Sequence, residues 1–392
     1  MPFLSMNRRR FLSLAGGASC AVVWNGAAAA VPPFGGRTLV LVELNGGNDG
    51  LNMVVPYGDP AYYKLRPKLG IARDRVLALD EGLGLHPSMG ALRKLWQEKK
   101  LGVALGVGYP DPNLSHFRSI EIWNTGSDTH ELLDEGWVVR AFAEAGAMGR
   151  MDADGMVLGD RSEVGPLFGP RMNVIGIDNP EAFVKRASQM HDAEGRPLNP
   201  ALAHVIETQR QVKTAAKTML ERKLDQVDPG GAFPDNPFGR QLKIAAQLIV
   251  GDIQVPVVKV ALTGFDTHRG QADPHGRLLE QLSDGLLAFA RAMEAKGRWD
   301  KVLVMTYAEF GRRAAENASG GTDHGTAAPH FILGGRVRGG FYGSQPALGD
   351  LADGNLRHRL HFRSLAATAV RDWWGLKGGF IPEPSLPCLA SV

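Results

Sequence analysis

The sequence predicts an α/β protein, a three-layer α/β/α sandwich with a mainly parallel central sheet. Two observations carry this. Short continuous apolar runs rich in β-branched residues alternate with longer segments of helical period, the pattern of parallel strands joined by crossover helices. Glycine is abundant, 49 in 392 residues, as many tight turns at strand ends require. A hydrophobic content of 44% supplies a large core.

Residues 38–44 (TLVLVEL) read as an interior strand ending at the glycine-rich turn 45–50. Residues 87–97 have helical spacing through Met89, Leu92, Leu95 and Trp96, and a second strand follows at 101–107. Strands are expected at 156–158 and 173–177, then helices at 200–226 and 238–249 split by the Pro/Gly linker 228–237. Residues 178–254 thus read as a helical insertion in a single domain spanning 31–392. After a strand at 255–263 comes a helix over 274–295, with Leu278, Leu279, Leu282, Leu286, Leu287 and Phe289 on its apolar side. Strands at 302–307 and 331–333 and a helix at 364–374 complete the prediction.

Two acid–histidine pairs stand just past predicted strands. Asp266-Thr267-His268 follows the run 255–263, and Asp323-His324-Gly325 lies on a loop past the run 301–307. Carboxylate and imidazole together suit zinc, manganese or iron, and strand ends let distant segments converge on one crevice. Asp266 and His268, one residue apart, point the same way on extended backbone, so both can ligate one ion. Asp323 and His324 are adjacent and need the turn at Gly325 to converge, or else serve different ions. His330 is a further ligand or a strand-start histidine. Asp49, in a turn whose glycines permit close backbone approach, is a ligand or an ordinary Asn-Asp-Gly turn residue.

Ser115-His116 opens a helix after the loop 109–113. There a serine is an N-cap or a nucleophile, and backbone N–H groups can cradle phosphate or sulfate. Glu309 and Arg312 close the 301–307 strand, Glu309 as an orienter or ligand and Arg312 as a clamp for an anionic group, or the two as an ion pair at a helix start. His86 reads equally as a packed loop residue, and His358 and His361 as part of a solvated basic helix face.

The formal charge of +3 is carried by Arg8, Arg9 and Arg10, which leaves the remainder neutral and gives no basic patch for nucleic acid. Residues 7–12 (NRRRFL) resemble a twin-arginine export signal, followed by a mildly apolar stretch and an A-x-A cleavage site near Ala30. The twin-arginine machinery is therefore an expected partner and a periplasmic or secreted location is expected. A lipid anchor at Cys20 is the alternative, although residues 17–19 make a poor lipobox. No segment of the mature chain reads as membrane-spanning. With Cys20 removed, Cys388 stands alone, which excludes an internal disulfide and a cysteine zinc cluster.

Taken in order, the segments 41–52 (LVELNGGNDGLN), 115–118 (SHFR), 265–268 (FDTH), 309–312 (EFGR) and 321–325 (GTDHG) resemble the bacterial domain-of-unknown-function 1501 family. That family in turn resembles the alkaline phosphatase/sulfatase superfamily, an α/β/α sandwich with two metals at the carboxyl ends of its sheet. The resemblance implies that Asp49, Ser115, Asp323 and His324 hold one divalent ion and the nucleophile. It implies that Asp266, His268 and His330 hold a second ion. His116 and Arg312 would join the catalysis, with Asn48 and Glu309 supporting the ligands. The function implied is an exported metal-dependent hydrolase of an anionic phosphate or sulfate ester, a small molecule or a glycan. A binding protein of the cell envelope on the same scaffold and a component of a surface assembly remain the alternatives, because a fold does not fix a function.

Overall fold

The computed structural model describes residues 33–159, 163–190 and 200–390. The export signal and cleavage site expected over residues 1–30 lie outside them, as does part of the expected insertion, 191–199. A nine-stranded sheet organises the rest. Its strands are β1 (Thr38–Asn45), β2 (Leu101–Gly108), β3 (Gly155–Leu158), β4 (Val174–Ile177), β5 (Val257–Thr263), β6 (Val302–Tyr307), β7 (Ala328–Gly334), β8 (Gly340–Gly343) and β9 (Leu360–His361). The spatial order is β8-β2-β7-β6-β1-β5-β3-β4, with β9 also on β2. Pairing is parallel throughout except around β7, which runs antiparallel to both β2 and β6.

Strand β1 shows how one sequence supplies two cores. Side chains alternate across a strand, and both faces of β1 are covered. Val40, Val42 and Leu44 pack into one cluster with Leu279, Leu286 and Phe289. Leu39 and Leu41 pack into the other with Phe142, Trp373 and Trp374. That opposition is the three-layer arrangement, seen from one strand.

The flanking helices are α1 (Gly90–Gln97), α2 (His116–Thr125), α3 (Trp137–Glu144), α4 (Pro180–Ser188), α5 (Pro200–Glu221), α6 (Pro237–Val250), α7 (Ala272–Ala295) and α8 (Arg363–Ala367). Helix α6 starts where Pro237 presets the first turn and the Asn236 side chain accepts from Gly239 N–H. Along α7, buried Leu279, Leu282, Leu286, Phe289 and Met293 recur every three or four residues and seat the helix on the sheet. No helix among the described residues is long and apolar enough to cross a membrane.

The structure corrects three local expectations. The short strand at 331–333 extends over Ala328–Gly334. The last helix is α only to Ala367 and then widens into a π turn over Thr368–Trp373. The basic stretch around His358 is not a helix face: it lies between short strands, with β9 paired to the end of β2.

Candidate metal centre

The carboxyl ends of β1, β2, β5 and β6 and the start of β7 open on the same edge, and the loops there are packed very tightly. At Gly46 (φ +115°) a Cβ would stand 2.5 Å from the Asp266 nitrogen, and at Gly47 (φ +73°) one would meet the Phe310 ring at 2.2 Å. The glycines after β1 are therefore required for contact between loops.

Arg312 ties these loops together. Its Nε donates to Gly47 O (2.6 Å), Nη1 to Thr322 O (2.9 Å), and Nη2 to Gly46 O, Phe265 O (3.2 Å) and Asp266 Oδ1 (2.6 Å). The side chain has no exposed surface. The expected role as a clamp for an anionic substrate is accordingly corrected. All three guanidinium nitrogens are engaged within the protein, and Arg312 holds the loops and one carboxylate.

Asp266 is the centre of the arrangement. Its Oδ1 lies 3.0 Å from His268 Nε2 and 3.3 Å from His324 Nε2, which are themselves 3.0 Å apart. Its Oδ2 lies 3.5 Å from His116 Nε2. One ligand atom from each of His116, Asp266 and His324 falls within 4.8 Å of the others. Each histidine is oriented through its other nitrogen. His116 Nδ1 meets Glu309 Oε1 at 2.8 Å, His324 Nδ1 meets Leu114 O at 2.8 Å, and His268 Nδ1 meets Asp323 Oδ1 at 3.3 Å. An oxygen acceptor on Nδ1 fixes the tautomer with its lone pair on Nε2, the usual support of a metal-binding histidine.

The electrostatics differ within the group. Burial acts to raise the Asp266 carboxyl, but the hydrogen bond and charge of Arg312, with His268, hold it below its ordinary value. The Glu309 hydrogen bond raises His116 against the pull of burial. Burial lowers His324. Asp323 is held low by the Asn317 amide and then by His268.

The predicted residues do not all meet. Asp323 and His324 diverge: His324 turns inward to Asp266, while Asp323 backs His268 from outside. Asp49 is fully buried away from the cluster. Its Oδ2 accepts from Arg66 Nη1 (2.6 Å) and from Gln271 Nε2, so its charge already has a partner. Asn48 accompanies it, Oδ1 facing His275 Nε2 at 2.9 Å. His330 is buried within β7, 3.4 Å from Thr306 Oγ1 and edge-on to Trp123. The ion expected between Asp49, Ser115, Asp323 and His324 thus has no assembled ligand set among the described residues. Ser115 precedes α2, exposed, and its hydroxyl makes no cap hydrogen bond. The residues on either side, Leu114 and His116, both touch the cluster.

A cleft of about 590 Å³ adjoins the cluster, and His116, Asp266, Glu309, Asn124 and Phe117 are among its walls. Sequence reasoning missed Asn124, because nothing local distinguishes it from a surface helix residue. It missed Arg66 and Gln271 for a related reason: their role exists only through Asp49, which is 17 and 222 residues away.

Residues 83–373 match the family described as "Protein of unknown function (DUF1501)". The chain belongs to that family. The matched region of this DUF1501 chain holds His116, Asp266, His268 and His324, and it begins after Asp49. No curated protein matches the sequence. Among solved structures, the chain is similar to the C-terminal periplasmic domain of EcEptC from Escherichia coli, in complex with Zn. The identity is 10% and the TM-score 0.42, over 88% of this chain and 83% of that one. It is also similar to the lipoteichoic acid synthase LtaP from Listeria monocytogenes, with 10% identity and a TM-score of 0.40 over 88% and 73%. A third is a Vibrio parahaemolyticus protein of the alkaline phosphatase superfamily, with 10% identity and a TM-score of 0.37 over 95% and 77%.

Proposed function

We propose that this chain is a metal-dependent hydrolase of phosphate or sulfate esters, exported by the twin-arginine route. The observation that carries the reading is the convergence of His116, His268 and His324, each held at Nδ1 by an oxygen, on the carboxylate of Asp266 beside a cleft.

The donor set fits a divalent ion. With Nδ1–H donated to oxygen, His268 and His324 bring two lone pairs to 3.0 Å from one another and both toward a carboxylate oxygen. Lone pairs so placed repel, and a cation among them removes the repulsion. The separations also agree with a tetrahedral centre, whose edge is roughly 3.3 Å for metal–nitrogen bonds of about 2.0–2.1 Å. Asp266, His268 and His324 would hold the ion. A catalytic centre keeps one position open, so three protein donors are the number required. A divalent ion bound there supplies charge stabilisation to the oxygens of a transferring phosphoryl or sulfuryl group.

His116 faces both the cleft and Asp266 Oδ2, and with Glu309 behind it can carry a proton to or from the reacting ester. Ser115 is the nucleophile in this reading. Its hydroxyl takes no part in capping, and its chain neighbours on both sides contact the cluster. Export rests on the NRRRFL signal at residues 7–12.

The test pairs elemental analysis with hydrolysis of aryl phosphate and aryl sulfate esters. The wild type should bind about one divalent ion per chain at these donors and turn over at least one ester class. His324→Ala should lose the ion, and Ser115→Ala should keep it while losing turnover by about a thousandfold or more. An ion-free wild type that gains no thermal stability from zinc, manganese or iron sinks the metal reading. Turnover undiminished in Ser115→Ala removes Ser115 as nucleophile. A bound ion with no turnover of any ester transfers the chain to the envelope-binding alternative.

A further inference from the structure

Strand β5 carries a single charge in an apolar run, Lys259 in VVKVALT. Alternation along the strand turns it to the same face as Val257, and its side chain has no exposed surface. On that face Glu43 of β1 answers it, with Nζ 2.5 Å from Oε2 and the carboxylate only 5% exposed. Tyr307 of β6 donates to the same oxygen (3.3 Å). Burying such a pair costs desolvation that its attraction barely repays, and apolar residues of similar volume would join these strands as well. Stability therefore gives no reason for a lysine here. Its hydrogen bonds do.

The pair reaches outward at two points, and both lead to the cleft. Lys259 Nζ donates to Glu163 O (2.8 Å), and Asn45 Nδ2 donates to Glu43 Oε1 (3.0 Å). Asn45, Glu163 and Phe168 line the cleft together with His116 and Asp266. Between Glu163 and Phe168 the chain makes a tight turn, in which Leu167 N–H donates to Val164 O (3.4 Å) and Phe168 N–H to Gly165 O (3.1 Å). Its far end is held where Gly136 N–H donates to Phe168 O (2.8 Å). At the near end the lysine is the anchor. The lysine stem lies against Gly165 (φ +62°), where a Cβ would stand 2.7 Å from Lys259 Cε. The turn and the lysine are thus fitted to one another, and a side chain at residue 165 would part them.

We propose that Lys259 is a positioning residue of the cleft, an internal post that fixes the backbone of residues 163–168 and so sets the place of the wall that Glu163 and Phe168 form. Resting on the hydrolase reading, this wall meets the organic portion of the ester once the anionic group is at the centre. Lys259 then bears on substrate binding and not on the chemical step.

The test removes both charges together, since Lys259→Met alone leaves a buried carboxylate without its cation. Lys259→Met with Glu43→Gln keeps an acceptor for Asn45 and deletes the donor to Glu163 O. Lys259→Gln with Glu43→Gln is the second variant, for the case in which the first does not fold: its two amides can bond to one another, but the shorter side chain does not reach Glu163 O. Amide hydrogen exchange, measured without substrate, should speed up by about tenfold or more at Leu167 and Phe168 in either variant while the amides of β1 and β5 keep their rates. With aryl phosphate and aryl sulfate esters, KM should rise about fivefold and kcat stay within about twofold of wild type. Unchanged exchange at Leu167 and Phe168 in a folded variant overturns the inference, as does faster exchange with KM unmoved. Faster exchange throughout the sheet makes Lys259 merely structural and overturns it too. Faster exchange confined to the turn, in a protein that hydrolyses no ester, leaves Lys259 as the post of the cleft and removes the hydrolase reading. Ester hydrolysis with unchanged exchange does the reverse.

Discussion

Two aspartates follow two adjacent parallel strands of this sheet, and their surroundings have opposite consequences. Asp49, after β1, is fully buried against Arg66 and Gln271, in a network that continues through Asn52 and Tyr62. Asp266, after β5, is nearly half exposed and faces three imidazole Nε2 atoms. In the first case the carboxylate charge is answered inside the protein at Oδ2, and the side chain has no exposed surface. In the second, Arg312 answers only part of it, and the remaining donors are lone pairs. The short motif around an aspartate thus says little about its role; the partner that reaches it from elsewhere in the chain decides.

The comparison is tested most severely at the buried site. Arg66→Met leaves Asp49 buried without its cation and should cost about 3–5 kcal/mol, read as a lowered urea midpoint. Asp266→Asn retains an oxygen for Arg312 and should leave the ion-free protein within about 1 kcal/mol of wild type while abolishing ion binding. If the two substitutions destabilise equally, Asp266 is structural too.

Acid should separate the regions next. Burial holds His86 and His275, beside the Asp49 network, at about 4, and His330 at about 3. The unfolded chain takes up these protons near pH 6.5 and the folded one does not. Their contribution is therefore complete above pH 6.5 and declines as pH falls toward 4. Denaturation midpoints measured from pH 7 to pH 4 should fall, and His330→Phe should flatten the curve. An unchanged slope in that variant would mean that His330 does not contribute.

The smallest effect belongs to Ser115. Since its hydroxyl makes no cap bond, Ser115→Ala should shift stability by less than about 0.5 kcal/mol, where a capping serine would cost about 1 kcal/mol. A larger loss in thermal unfolding would return Ser115 to a capping role.

The strands of the central sheet were legible because each is a continuous apolar run buried on both faces, as in β1, β2 and β6. The direction of β7 was not, since an apolar run reads the same whether its neighbours are parallel or antiparallel. The pairs Val54–Val55 with Gly84–Leu85, and Leu77–Ala78 beside them, are too short to carry a period. At the site, the D-x-H and D-H segments pointed to Asp266, His268, Asp323 and His324, which the structure brings next to one another. The division of labour between Asp323 and His324 was hidden, because adjacent side chains leave the backbone in different directions and only the loop conformation says which turns inward. Arg312 was misread for want of the four carbonyls around it, contributed by three separate loops.

That arginine also bears on how the molecule is assembled. Its guanidinium joins acceptors 10, 46, 47, 265 and 266 residues away. Closing such long loops has a large entropic cost that must be met before the contacts reward it. The strands β1, β5 and β6 must be in register before their terminal loops come within its reach. The clasp is thus among the last things to form, and the crevice acquires its shape only in a chain whose core is already complete.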